Sequence, residues 1–142
     1  MSLTFSISPA SDVPLFRQIT QQIHRAVAVG KLPVGEQLPP VRLLAEELVI
    51  NPNTVARSYQ ELIREGVLES RSGRGVFVSE RRQVFSDSER QRRLQFASEQ
   101  LCHEAILLGV SLPEIRSVLD AKWKELQRET RTVETSDERK KK

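Results

Sequence analysis

Cysteine occurs once in this chain of 142 residues, at Cys102. A single thiol excludes an internal disulfide and suits a reducing compartment, so a cytoplasmic protein is expected. No apolar run approaches the ~20 residues that a membrane span needs. The start, Met1-Ser2-Leu3-Thr4-Phe5-Ser6, has neither a basic lead nor a long apolar stretch, and no secretory signal or membrane contact is expected. Net charge is small: 22 Lys and Arg against 19 Asp and Glu leave +3, which by itself is no argument for nucleic acid. The two histidines, His24 and His103, have no carboxylate or cysteine at metal-ligand spacing except the adjacent run Cys102-His103-Glu104. Neighbours on a helix diverge by about 100°, so that trio cannot hold one ion unaided. No nucleophile–base pair, paired carboxylates or cofactor loop stands out. An enzyme, a metal site and a bound cofactor are therefore not expected.

What is present is a pair of short helical patterns. Pro40 suits a first helical position, and Leu43, Leu44, Ala45 and Leu48 fall on one face. Val49-Ile50 makes a corner. Asn51 is placed to cap a second helix, Pro52 fits its first position, and Val55, Tyr59 and Leu62 recur on its inner side. Asn51, Asn53, Thr54 and Arg57 then stand near the helix start or on its outer face. In a helix-turn-helix it is this leading part of the second helix that meets base edges. Between Leu38 and Val78 every cation is an arginine (Arg42, Arg57, Arg64, Arg71 and Arg74), whose fork suits phosphate oxygens and guanine edges. Arg64, late in its helix, reads as a solvated or salt-bridged residue.

The flanking segments complete a small domain. Leu3, Phe5 and Ile7 alternate with polar residues in an extended start. Leu15, Ile19, Ile23, Ala26 and Val27 stripe a first helix that stops at Gly30. Residues 31–37 form a connector too rich in Pro and Gly to be an element. Residues 67–71 and 75–79 read as short strands joined by the turn Ser72-Gly73-Arg74. Three helices and a hairpin make the winged version of the motif, with Arg71 and Arg74 near the wing tip able to reach phosphates or the minor groove. Gly73-Arg74-Gly75 is not a nucleotide-type phosphate loop, because no helix follows it closely.

After residue 80 the composition changes. Glu80-Arg81-Arg82-Gln83 reads as a hinge. Asp87 or Ser88 is placed to cap a long helix in which Leu94, Leu101 and Leu108 fall seven apart, ending at Gly109. Ser111-Leu112-Pro113-Glu114 has the capping-box pattern, and Leu112, Ile115, Leu119, Trp123 and Leu126 stripe a second helix. Two such helices are too thin to bury their own apolar faces. Both the first helix of the same chain and an identical hairpin from a second chain are candidate covers, and a homodimer is expected. From about residue 130 little apolar side chain remains, and residues 131–142 read as a disordered tail.

Several runs taken in order, among them Pro14-Leu15-Phe16-Arg17-Gln18-Ile19, Gly35-Glu36-Gln37-Leu38-Pro39, Asn51-Pro52-Asn53-Thr54-Val55-Ala56-Arg57-Ser58-Tyr59 and Gly73-Arg74-Gly75-Val76-Phe77-Val78, resemble the GntR family of bacterial transcription regulators. The short two-helix remainder resembles its YtrA-type branch. The resemblance implies a homodimeric repressor that binds double-stranded DNA at an inverted-repeat operator, often beside transporter genes. It implies that Arg42 touches backbone or a base, that Thr54 bonds a phosphate, that Asn51 and Asn53 face the groove, and that Gly73 and Arg74 enter the minor groove. Many members carry arginine where this chain has Pro52 and Ala56, and Arg57 stands where it can substitute. The expected fold is α+β, mostly helical, with a winged helix-turn-helix at 1–79, a dimerising helical hairpin at 80–130 and a tail at 131–142. The expected DNA contacts are Arg42, Asn51, Asn53, Thr54, Arg57, Ser58, Arg71, Gly73 and Arg74. A winged helix that binds protein instead of DNA is the open alternative, and the sequence leaves open whether a small-molecule effector acts, since no convergent polar groups define one.

Overall fold

The computed structural model describes residues 3–80 and 85–141. Arg81, Arg82 and Gln83 of the expected hinge, and Lys142, lie outside the described residues. The chain divides into two compact units, Met1–Arg82 and Gln83–Lys142.

In the first unit, α1 (Leu15–Ala28) turns Ile19, Thr20, Ile23, Ala26 and Val27 inward, the face its periodicity indicates. α2 (Val41–Leu48) starts one residue later than expected, with Pro40 still extended at ψ 146° as its N-cap. α3 (Pro52–Arg64) is capped by Asn51, whose side chain accepts from the Asn53 N–H. The corner between α2 and α3 is made by Val49 in the left-handed region at φ 55°. That brings the Ile50 N–H back to the Ala45 carbonyl at 3.0 Å. A β-branched residue rarely adopts this conformation.

Residues from all three helices close one core with Leu32, Leu38, Leu68 and Val78. Full burial of an Ile or Leu contributes about 1.5–3 kcal/mol each, so Ile19, Ile23, Leu32, Leu38, Leu44, Leu62 and Leu68 supply the main stabilising term. Tyr59 joins this core and satisfies its hydroxyl by donating to the Pro39 carbonyl at 2.7 Å. Burial, with Glu47 second, raises the Tyr59 phenol well above its ordinary value.

Strands β1 (Leu68–Arg71) and β2 (Gly75–Val78) pair antiparallel, Leu68 opposite Val78 and Arg71 opposite Gly75. A two-stranded ribbon alone is marginal in water. Here the connector, expected to carry no element, lies along the outer side of β2. Gly35 and Leu38 donate to the carbonyls of Val78 and Val76, and Val78 donates back to Glu36. The extended start keeps its alternation, with Leu3, Phe5 and Ile7 packed on the core. Among the described residues it pairs with no strand: side-chain amides of Gln22 and Gln18 bond the backbone at Ser6 and Ser8 instead.

In the second unit, α4 (Asp87–Leu107) is capped by Ser86, one residue ahead of the two caps expected. α5 (Leu112–Lys140) is capped by Ser111, which accepts from the Glu114 N–H. Gly109 and a Val110 N–H bond to the Ala105 carbonyl turn the chain between them. Ala105 is the one buried residue of α4, and α5 buries none. The heptad leucines and Trp123, 66% exposed, stand in solvent. The expected disordered tail is a correction: α5 runs on through Lys140. No Gly or Pro interrupts it after Pro113, hydroxyls of Thr132, Thr135 and Ser136 bond carbonyls four residues back, and Arg139 and Lys140 suit the negative end of a helix.

Candidate nucleic-acid interface

The leading turns of α3 carry most of the expected contact residues. Asn51 Oδ1 is committed to the Asn53 N–H at 2.9 Å, which leaves its amide group free to donate outward. Asn53 and Arg57 are exposed and Thr54 is half-buried, so three residues spaced at i, i+1 and i+4 share one solvent-facing edge. Arg42, near the start of α2, is also exposed. Neither Arg42 nor Arg57 pairs with a carboxylate among the described residues. Their charges are therefore available to an external anion.

Ser58 does not belong to this edge. It is fully buried, and its hydroxyl lies 2.9 Å from the Phe16 carbonyl and 3.0 Å from the Thr54 carbonyl, sharing its one proton between them. The signal was present in the spacing, because Val55, Ser58, Tyr59 and Leu62 follow the inward i, i+3, i+4, i+7 pattern.

On the ribbon, Arg71 is tied down: its guanidinium lies 2.9 Å from Glu69 and stacks 4.2 Å from the centre of the Phe77 ring. Gly73 and Arg74 form the exposed tip. The tip is held from outside the hairpin, by the Gln37 side-chain amide donating to the Arg74 carbonyl at 2.9 Å. Gly75 is required there, at φ 118° and with Gln37 Nε2 only 2.8 Å from where a Cβ would sit. Two residues that sequence reasoning passed over therefore shape the surface, Gln37 and Phe16. The Phe16 ring lies 3.7 Å from the Arg57 guanidinium carbon. Forty-one positions separate that pair, and no local pattern announces it.

No group of three or more His, Cys, Asp or Glu is placed to hold a metal ion among the described residues. His24 and Cys102 are exposed, and His103 Nε2 lies 3.7 Å from a Glu99 carboxylate oxygen. No described helix is long and apolar enough to cross a membrane.

The head thus sets an arginine-edged α3 beside a tethered β-ribbon. The profile of bacterial regulatory proteins of the gntR family matches residues 15–78. The HTH-type transcriptional repressor YtrA of Bacillus subtilis (strain 168) is 36% identical over 109 residues, 77% of this chain and 84% of the relative. The chain belongs to the GntR family. Its winged-helix fold with two helices after the wing recurs in solved structures of similar extent. A transcriptional antiterminator from Listeria monocytogenes EGD-e superposes with a TM-score of 0.74 at 29% identity, covering 88% of this chain and 93% of that one. YtrA from Sulfolobus acidocaldarius, a GntR-family transcription factor, gives 0.59 at 27% identity over 85% and 97% of the two chains. This GntR protein is thus a DNA-binding transcriptional regulator of the YtrA type, and these relatives are regulators rather than enzymes.

Proposed function

We propose that this GntR-family regulator is a cytoplasmic homodimeric repressor that seats two recognition helices on an inverted-repeat operator, with transporter genes a candidate target. The observation that carries the reading is the open leading edge of α3, where Asn53, Thr54 and Arg57 face solvent and no acid among the described residues neutralises the arginine. In this reading Asn51 and Asn53 donate to base edges, Thr54 bonds a phosphate, and Arg42 and Arg57 take phosphate or guanine. Gly73 lets the wing tip approach the duplex closely, Arg74 reaches the minor groove, and Arg71 contributes positive potential while still braced by Glu69. Residues 1–79 form the reading head and 80–130 the region that joins two chains. The twin chain is supported by the apolar face of α4 and α5, which its own unit leaves bare, and by arithmetic of recognition: one small head spans too few base pairs for useful specificity.

The test is to recover random duplexes on the purified full chain and sequence what is retained. An inverted repeat should emerge. If each subunit neutralises ~4 phosphates, log K should fall against log salt with a slope of roughly −7. Arg42→Ala should weaken the recovered site by ~1–3 kcal/mol and leave the thermal melt unchanged. Retention of no sequence above background, with Arg42→Ala behaving as wild type, would leave a winged helix that serves protein contacts.

A further inference from the structure

We infer that Arg17 of α1 binds a DNA backbone phosphate beside Arg57, and that the Phe16 ring is the plate that positions both guanidiniums; this rests on the DNA-reading role proposed for α3. The guanidinium carbon of Arg57 lies 3.7 Å from the ring centre and that of Arg17 5.3 Å from the same centre. Both fall inside the ~6 Å range in which a ring face attracts a cation. The charges are consequently no more than about 9 Å apart, the sum of those two distances. Both side chains are exposed, and neither pairs with a carboxylate among the described residues. Two like charges held that close repel, and an anion bridging or capping them relieves the repulsion. A guanidinium fork matches phosphate oxygens in geometry as well as in charge.

The plate is fixed to the recognition helix. The Phe16 carbonyl accepts from the Ser58 hydroxyl at 2.9 Å and from the Thr20 hydroxyl at 2.7 Å. Ser58 is the residue after Arg57, so the backbone that carries the ring is bonded to the turn of α3 that carries the cation. Phe16 is itself half-buried. The backbone that carries the ring cannot leave this turn of α3 without breaking that part-buried hydrogen bond. The outward basic edge of α3 therefore continues across Phe16 onto α1, a stretch that the recognition-helix pattern does not include.

The experiment uses the full chain and fluorescence anisotropy on two labelled duplexes, one retained in the selection above and one of scrambled sequence, across a KCl series. Arg17→Ala should weaken both duplexes alike, roughly three- to tenfold, and make the salt slope shallower by about 0.9 for each lost phosphate. Phe16→Leu should lose affinity with an unchanged melt, and Phe16→Trp should restore it. In the side-chain NMR of the free protein, the Arg17 and Arg57 Nε–H signals should be displaced by the ring current and lose that displacement in Phe16→Leu. Arg17→Ala binding like wild type with an unaltered slope, while Arg42→Ala still loses affinity, would overturn the inference and leave the α3 reading intact. Loss of neither would overturn both. Inorganic phosphate at constant ionic strength should give no saturable shift of these signals; a saturable shift would make this a free-phosphate site and overturn the backbone assignment.

Discussion

In the first unit Ile19, Ile23, Val55 and Leu62 keep no exposed surface, whereas in the second Ala105 is alone in being buried among the described residues and Ile106, Leu119 and Trp123 remain 74, 54 and 66% exposed. Both units carry large apolar side chains; what differs is who covers them. The head packs three helices and the base of a ribbon into one core and closes on itself. The long pair α4 and α5 offers an apolar groove of about 380 Å³ between Leu101, Ala105 and Leu119 that its own residues do not fill. Stability is local in the head and, in the proposed dimer, concentration-dependent in the helices.

That contrast can be broken at either end. The largest effect is expected for Leu62→Ala, which should cost the head ~2–5 kcal/mol in denaturant unfolding followed by circular dichroism. A loss below ~1 kcal/mol would mean that the core is looser than its burial indicates. Leu119→Lys on α5 comes next. It should leave the head's unfolding unchanged yet shift sedimentation to the monomer and reduce operator binding with it; a dimer that survives the lysine would place the interface elsewhere.

A smaller effect is expected at the corner of α2 and α3. Val49 is 88% exposed and left-handed, so Val49→Gly relieves a strain of ~1–2 kcal/mol and gives back part of it as glycine's entropy. The head should gain about 0.5–1 kcal/mol, read as a rise in denaturant midpoint. A fall would show that the exposed isopropyl group has a stabilising contact.

The smallest effect belongs to the first turn of α4. Hydrogen bonds from Arg92, and then from Arg93, lower the Glu89 carboxyl from 4.5 to about 2. A carboxyl depressed in the folded state contributes above its ordinary value and loses that contribution as pH falls through the folded one. Helical ellipticity should hold down to about pH 4.5 and decline towards about 2, and Glu89→Gln should remove that step. An identical acid profile in the variant would show that the pair has no influence on α4.

What the sequence made legible was whatever depends on near neighbours. Asn51 before Pro52, Gly66 after Arg64 and the leucine stripe of α2 each declare an element within one turn. Near-equal choices were resolved less well: Ser86, Asp87 and Ser88 are three consecutive capping residues, and only the geometry selects Ser86. Ser58 was expected among the DNA contacts, although a step of 100° separates it from Arg57 and sets it on the inward stripe with Val55, Tyr59 and Leu62. Contacts between distant positions were not legible at all. Phe16 under Arg57, Gln22 along Ser6 and the connector beside β2 depend on tertiary placement that no local pattern encodes. The helical stretch after residue 130 shows another limit, since composition measures burial and says little about a solvated helix rich in charges and free of breakers.

The tether at the ribbon tip has a practical corollary. Gln37, which grips the Arg74 carbonyl from 37 positions upstream, works like a guy line on a mast. Grafting only the hairpin of one regulator onto another would transplant its cations without their aim. An exchange of specificity between such proteins has to carry the stretch before α2 along with the wing.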